Sequence, residues 1–116
     1  MEQLNEIHLI GRVGNVRLAQ LSSTKAAKIT LATSYMYKNR DGAVVEEVTW
    51  TTVSAFESSR IKDLDEIGKG SILEVRGRLR QIKYTDDNGT DHNTYEVVAR
   101  SLQLIPSEML HPAQSI

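Results

Sequence analysis

The sequence predicts an all-β fold, a five-stranded barrel with one short helix. Three observations support this prediction. β-branched residues recur at near-alternating positions over most of the chain, Gly or Asp/Asn turns separate these runs, and only one segment changes to a three-residue period. With 116 residues, 40% of them hydrophobic, the chain can bury a core as one domain but is too short for two ordinary ones.

The first three predicted strands form a bent strand followed by a long hairpin. Gly11 and Gly14 interrupt the first strand, which indicates a sharp bend there. Asp41-Gly42, a hairpin-turn signal, separates the second strand from the third. The predicted ranges are Leu4 to Val13 continuing as Val16 to Leu21, then Ala26 to Tyr37, then Glu46 to Phe56.

The second half of the chain is predicted to hold a helix and two further strands. Between Glu57 and Ile67 apolar residues recur every three positions, Ser58 or Ser59 can cap the start, and Gly68 follows the end. The dipeptide Asn-Gly at positions 88–89 is a strong turn signal between the last two strands. Their predicted ranges are Ser71 to Tyr84 and Thr94 to Ile105.

The order of these elements, three strands, a helix and two strands with a bent first strand, is that of an OB-fold. In this fold the helix between the third and fourth strands plugs one end of a small Greek-key barrel. An SH3-like barrel or an open sheet can also be drawn from five strands. We predict an OB-fold domain over residues 1–105 and a short flexible tail over 106–116, where no period is visible.

Charge is unevenly distributed along the chain. A net charge of −1 taken alone argues against a polyanionic ligand. Residues 1–40 nevertheless hold six basic and two acidic side chains, and residues 75–84 hold four basic side chains and no acid. Ordinary mixed surface charge is the commoner explanation of any single run, but two such segments can build one cationic groove on a nearly neutral body.

The predicted fourth strand places cations on one face. Alternation puts Leu73, Val75, Gly77 and Leu79 on the core side and Glu74, Arg76, Arg78, Arg80 and Tyr84 on the other. Exposed strand positions are often charged, and arginines blunt sheet edges. Three arginines at intervals of about 7 Å, ending in an aromatic ring, match the phosphate spacing of a stretched nucleic-acid strand and favour a binding face.

The aromatic residues lie close to cations in the sequence. Trp50 and Phe56, the only Trp and the only Phe, share one face of the third strand, although a lone Trp in a small domain is just as readily a core residue. Two tyrosines precede Lys38 and Arg40 in the hairpin arm. Unpaired bases stack on aromatic side chains, at about 1–3 kcal/mol per base, while Lys and Arg neutralise phosphates. The pattern suits single-stranded nucleic acid better than a small-molecule pocket.

Five segments spread along the chain have a family resemblance. They are NEIHLIGRVGNV, ITLATSYMYKNRDG, VTWTTVSAF, IGKGSILEVRGRLR and IKYTDDNGTDHNTYEV, and together they are specific. Over nearly all of Leu4 to Ile105 the chain resembles the bacterial single-stranded-DNA-binding protein family. The resemblance implies an OB-fold, a homotetramer, and coating of single-stranded DNA without strong sequence preference in replication, recombination and repair.

The resemblance also implies site residues. Base-stacking roles pass to Tyr37, Trp50, Phe56 and Tyr84, two of which are tyrosines where the family usually has tryptophans. The candidate phosphate contacts come from the basic residues themselves rather than from the resemblance: Arg12, Arg17, Lys25, Lys28, Lys38, Arg40, Arg76, Arg78, Arg80 and Lys83.

Two departures from the family pattern concern assembly and partners. The sequence ends at HPAQSI, where family members continue into a flexible linker and an acidic tip that recruits enzymes, so recruitment of replication or repair enzymes is doubtful. Thr51 stands where a histidine near subunit contacts is common, which leaves a dimer open beside the favoured tetramer. Two alternative functions stay open: a primosome-type OB dimer that bridges replication proteins, and an enzyme accessory or RNA binder.

No catalytic, cofactor or metal constellation is present in the sequence. His8, His92 and His111 are scattered, GxSxG and HExxH are absent, and Gly68-Lys69-Gly70 lacks the rest of a phosphate-binding loop. The run DDNGTD lacks the ligand spacing of a calcium loop. Without cysteine there is no disulfide or thiolate zinc site. We expect a protein that is not an enzyme and has no cofactor.

The N-terminal segment bears on localisation. MEQLNEIHLIGRV has acids where a signal peptide needs a basic region, and no stretch approaches membrane-spanning length. We expect a cytoplasmic, nucleoid-associated protein with no membrane partner.

Overall fold

A computed structural model describes residues 1–106, which form five long strands and one 3-10 turn. The strands are β1 (Ile7–Leu21), β2 (Thr24–Lys38), β3 (Val44–Phe56), β4 (Ile72–Thr85) and β5 (Asp91–Ile105), and the turn is Leu64–Glu66. They close into a barrel in the order β1-β2-β3-β5-β4. The predicted all-β, five-stranded barrel is therefore confirmed. From residue 107 onward, the predicted tail and His111 lie outside the described residues.

The bend of β1 closes the barrel. Residues Ile7–Arg12 pair with β4 and residues Arg12–Leu21 pair with β2, so a single strand serves two neighbours. The register shifts between Val13 and Asn15, where Gly14 forms the irregularity. At Gly11 a Cβ atom would lie 2.3 Å from the carbonyl oxygen of Ala32, so only glycine permits this close approach. The sharp bend predicted from the two glycines is present.

The barrel interior is apolar and draws on alternate positions of every strand. The largest fully buried side chains in it are Val13, Ile29, Leu31, Val53, Leu64, Leu73, Val75 and Val97. On β4 the buried residues include Leu73, Val75 and Gly77, as alternation predicts. Leu79 is instead 40% exposed, so its predicted place in the core is wrong. The pairing of β4 with β1 ends at Gly77, and Leu79 lies beyond it, where only β5 accompanies the strand.

The predicted helix between β3 and β4 is present as a single 3-10 turn, much shorter than the predicted segment. Asp63, just before the turn, has a left-handed backbone with φ 59°, and Ser58 forms an isolated bridge with Ile61. Neither predicted serine caps the turn, since it begins after Asp63. Ile61, Leu64 and Ile67 are nevertheless buried against the core. Their three-residue spacing suits a 3-10 turn and its flanks rather than an α-helix.

Two long hairpins shape the rest of the molecule. β2 and β3 pair without a register shift, from the pair of Ala26 with Phe56 to the pair of Lys38 with Val44. β4 and β5 pair from Ile72 with Ile105 to Thr85 with Asp91, and their register shifts once, between Arg76 and Gly77. Side-chain oxygens order both tips, because Asn39 Oδ1 and Asp86 Oδ1 each accept two backbone N–H groups. Among residues 1–106 no helix is long and apolar enough to cross a membrane.

Candidate nucleic-acid interface

Trp50 and Phe56 lie on the outer face of the barrel. Their side chains are 60% and 40% exposed, whereas Val53 and Ala55 of the same strand are buried. Alternation along β3 therefore directs both rings outward, about 20 Å apart by strand rise. The choice that the sequence left open for Trp50, core residue or surface platform, is settled in favour of the surface.

Small residues form the bed on which the Trp50 indole lies. Ala32 pairs with Trp50 across β2 and β3, and Arg12 pairs with Ala32 across β1 and β2. At Gly14 an added Cβ atom would lie 2.6 Å from Cζ3 of Trp50. The six-membered ring of the indole thus lies against Gly14 of β1, while Trp50 as a whole stays 60% exposed.

Cations occupy the row between the two rings. In this row Arg17 pairs with Lys28, Lys28 pairs with Ser54 on β3, and Ser54 pairs with Val98 on β5. Val98 in turn pairs with Arg78 on β4. The register therefore extends one row of outer-face residues around the barrel, with cations at β1, β2 and β4.

Lys28 and Arg80 share a buried carboxylate. Glu96 accepts a hydrogen bond from Lys28 Nζ at 3.0 Å and another from Arg80 Nη2. Desolvation raises the pKa of Glu96, but the hydrogen bonds from the two cations outweigh it and leave the pKa below its ordinary value. Glu96 was not among the candidate site residues, because its position in the sequence gives no sign of a partner on β2.

Tyr84 lies in the arm formed by β4 and β5. Its ring stacks on His92 with centroids 5.0 Å apart and planes 17° apart. His92 Nε2 lies 2.7 Å from Asp86 Oδ2, so the acid that orders the hairpin tip also positions this imidazole. The pKa of Asp86 is lowered, chiefly by this contact with His92. His92, one of three histidines that are scattered in the sequence, thus supports the ring of Tyr84, a predicted base-stacking residue.

Tyr37 lies apart from the other predicted rings. It pairs with Val45 in an uninterrupted register in which Ala32 pairs with Trp50. Residues an odd number of positions apart in a strand face opposite sides, so Tyr37 and Trp50 occupy opposite faces of the β2–β3 hairpin. Tyr37 stacks with Tyr35, with centroids 6.1 Å apart. The structure therefore brings Trp50 and Phe56 onto one face and places Tyr37 on the reverse of the arm.

The ten predicted phosphate contacts fall into two groups. Five already have a partner within the structure: Arg12 donates to the carbonyl oxygen of Gly70, Lys25 to Asp65, Lys28 and Arg80 to Glu96, and Arg76 to Glu74. The other five make no side-chain hydrogen bond or ion pair with any of residues 1–106 and are exposed: Arg17, Lys38, Arg40, Arg78 and Lys83. Lys25 reaches the 3-10 turn, and the hydrogen bond to Asp65 raises its pKa.

Both the sequence and the fold of this chain are similar to those of known proteins. The model of the "Single-strand binding protein family" matches residues 4–105. Single-stranded DNA-binding proteins of Xanthomonas axonopodis pv. citri and Wolinella succinogenes are 31% and 33% identical over 88% and 90% of this chain. The chain spans 58% and 65% of the length of these two relatives.

A solved structure, "Plasmodium falciparum SSB complex with ssDNA", superimposes with a TM-score of 0.80 at 24% identity, over 91% of this chain and 98% of the other. This likeness confirms the OB-fold that the sequence predicts. The family model covers almost every described residue, including all five strands and both exposed rings of the outer face. The chain belongs to the single-strand binding protein family.

Proposed function

We propose that this chain binds and coats single-stranded DNA without strong sequence preference, on the outer face of the barrel and along its two hairpin arms. One observation supports the proposal above the others. Trp50 and Phe56, the only residues of their types, both face outward, with a row of cations between them. A protein that needed these rings for its core would bury them.

Stacking and charge neutralisation together account for such binding. Each base that stacks on an exposed ring contributes about 1–3 kcal/mol, whichever base it is. Lys and Arg contact phosphates, which are identical along the strand. Paired bases in a duplex are already stacked and offer no free face to Trp50. The arrangement therefore favours single strands over duplexes and discriminates little between sequences.

The family supports the biological setting and the assembly that we propose. We propose roles in DNA replication, recombination and repair, in the cytoplasm, by binding rather than by catalysis, since the family is one of binding proteins. We further propose a homotetramer, with a dimer as the alternative. Large apolar side chains exposed on the single chain, among them Ile10, Leu18 and Val48, supply surface for contacts between copies. A mass measurement in solution distinguishes tetramer from dimer.

Fluorescence of Trp50 gives a direct test of binding. Because Trp50 is the only tryptophan, its emission reports on one position of the proposed interface. Titration with oligo-dT is expected to quench it strongly, and the affinity is expected to fall when the salt is raised from about 50 to 200 mM, since phosphate contacts release counterions. Unchanged emission, together with no binding in a gel-shift assay, would reject the proposal.

A matched pair of variants tests the location of the site. Phe56→Ala removes an exposed ring of the outer face and is expected to weaken binding of oligo-dT about 5- to 160-fold, the range that corresponds to one stacked base at about 1–3 kcal/mol. Tyr95→Ala removes an exposed tyrosine on β5 that is outside the proposed set and is expected to change the affinity much less. Equal losses for the two variants would contradict the proposed location.

A further inference from the structure

Glu96 is a charged residue buried on the outer face of the barrel rather than in its core. Its side chain is 1% exposed and bridges two cations from different strands. Arg80 is its direct partner across β4 and β5, and Lys28 belongs to β2, on the far side of β3. One carboxylate therefore joins elements that are remote in the sequence.

Both cations keep binding capacity toward solvent. Lys28 and Arg80 are 49% and 41% exposed at their side chains. An ammonium group has three donors and a guanidinium group has five, and Glu96 uses only some of them. Glu96 therefore holds Lys28 and Arg80 in place and leaves some of their N–H donors available to a further acceptor.

The charges of this triad, Lys28, Arg80 and Glu96, sum to +1. The lowered pKa of Glu96 keeps its carboxylate ionised at neutral pH, so it cancels one of the two positive charges. A DNA phosphate contributes a single negative charge and accepts several hydrogen bonds. The triad thus has the charge that balances one phosphate.

An aromatic recess borders the same two cations. Lys28 and Arg80 line a concavity of the surface together with Phe56 and the small or apolar residues Ala19, Leu21 and Ala26. Proteins that bind single strands combine an aromatic ring for the base with a cation for the phosphate. The recess provides both, at the end of the barrel face where Phe56 lies.

We propose that Glu96 is a positioning residue of the DNA site, which holds Lys28 and Arg80 beside Phe56 as one phosphate site of net charge +1. The inference rests on the proposed function. Glu96 suppresses the repulsion between the two cations and fixes them relative to the base that stacks on Phe56. Glu96 also reduces the contribution of this site to the salt dependence of binding, because its carboxylate leaves the two cations with a net charge of +1 instead of +2.

The salt dependence of oligo-dT binding tests this charge rule. For single strands the slope of log K against log salt changes by about 0.7 for each charge. Glu96→Gln is expected to steepen the slope by that amount and Lys28→Met to make it shallower by about as much. The double variant restores a net charge of +1 and is expected to return to the wild-type slope. Between 50 and 200 mM salt each step corresponds to about a threefold change in affinity.

A charge-conserving variant tests the positioning role. Glu96→Asp keeps the carboxylate but shortens it by one methylene, so the slope is expected to stay at the wild-type value while the affinity falls severalfold. If a melting experiment shows that Glu96→Gln does not fold, Glu96→Asp still tests the positioning role of Glu96. Unchanged affinity in Glu96→Asp overturns the positioning role.

The control is Glu66→Gln, which makes the same change of net charge on the exposed 3-10 turn and is expected to leave the slope unaltered. If Glu96→Gln and Lys28→Met both fold and bind oligo-dT with the wild-type slope, the triad is a structural ion pair outside the DNA path and the inference is overturned. Failure of the wild-type protein to bind oligo-dT rejects the proposed function instead.

Discussion

Gly14 shows how a single residue decides the exposure of Trp50. The six-membered ring of the indole lies where a side chain at Gly14 would be, so glycine in β1 leaves room for the ring against the sheet. A ring held in place by such a contact loses less entropy when a base stacks on it than a freely rotating ring does. The sequence alone could not predict this contact, because Gly14 and Trp50 lie on strands separated by β2.

Gly14→Ala is expected to displace the Trp50 ring. The added methyl group would lie 2.6 Å from Cζ3, and because the indole is 60% exposed it can swing toward solvent to relieve that overlap, so folding stability is expected to change by less than about 1 kcal/mol. Trp50 emission is expected to change in the free protein, and binding of oligo-dT to weaken. Gly68→Ala is the matched control, since nothing lies within 4 Å of an added Cβ there. An emission spectrum identical to that of the wild type would contradict the contact.

The ionisation of Glu96 is expected to make folding stability depend on pH on the acid side. Its pKa is lowered from the ordinary value of 4.5, so the folded state favours the charged form. The contribution is fully present above about 4.5 and is lost as the pH falls through the lower, folded-state pKa. Urea unfolding at a series of pH values is expected to show a smaller acid loss for Glu96→Gln than for the wild type. Equal losses would argue against an ionised, paired Glu96.

At the level of the strands and turns, short-range signals predicted the fold well. The dipeptides Asp41-Gly42 and Asn88-Gly89 are turn signals in the sequence, and each lies at the tip of a hairpin in the structure. The bend of β1 follows from its two glycines. The helix was predicted too long, because a three-residue apolar spacing fits both a 3-10 turn and an α-helix segment, and the left-handed backbone of Asp63 is invisible in the sequence.

Side-chain burial was predictable only where the neighbouring strands stay the same. Alternation placed Leu73 and Val75 correctly in the core and failed for Leu79, which lies past the last β1 partner of β4. The same limit applies to Tyr37, whose face depends on the register of the whole β2–β3 hairpin. Ion pairs across strands, such as that of Glu96 with Lys28, are set by the closure of the barrel and have no local signal.

Gly77 is a position at which an added side chain would force two strands apart. It lies at the register shift between β4 and β5, and an added Cβ atom would lie 2.1 Å from the carbonyl oxygen of Val98. Because the obstacle is backbone, Gly77→Ala must separate the two strands, at a cost of about 3 kcal/mol. Gly68→Ala is expected to stay within about 0.5 kcal/mol of the wild type. Denaturant unfolding measures both, and comparable stabilities would contradict the close approach.

For the molecule as a whole, the distribution of charge matters more than its sum. A net charge of −1 is unusual for a protein proposed to bind a polyanion. The barrel reconciles the two, since its register brings Arg17, Lys28 and Arg78 into one row while acids such as Asp65 and Glu66 lie on the 3-10 turn. The sequence predicted two basic segments, and the closure of the sheet joins them.

Competition between single and double strands tests the central claim most directly. Fluorescence anisotropy of a labelled oligo-dT bound to the protein is followed while unlabelled oligo-dT or a duplex of equal length is added at constant salt. Exposed rings that need free base faces predict displacement by the single strand and little displacement by the duplex at the same concentration. Equal displacement by both, or no initial binding, would contradict the account.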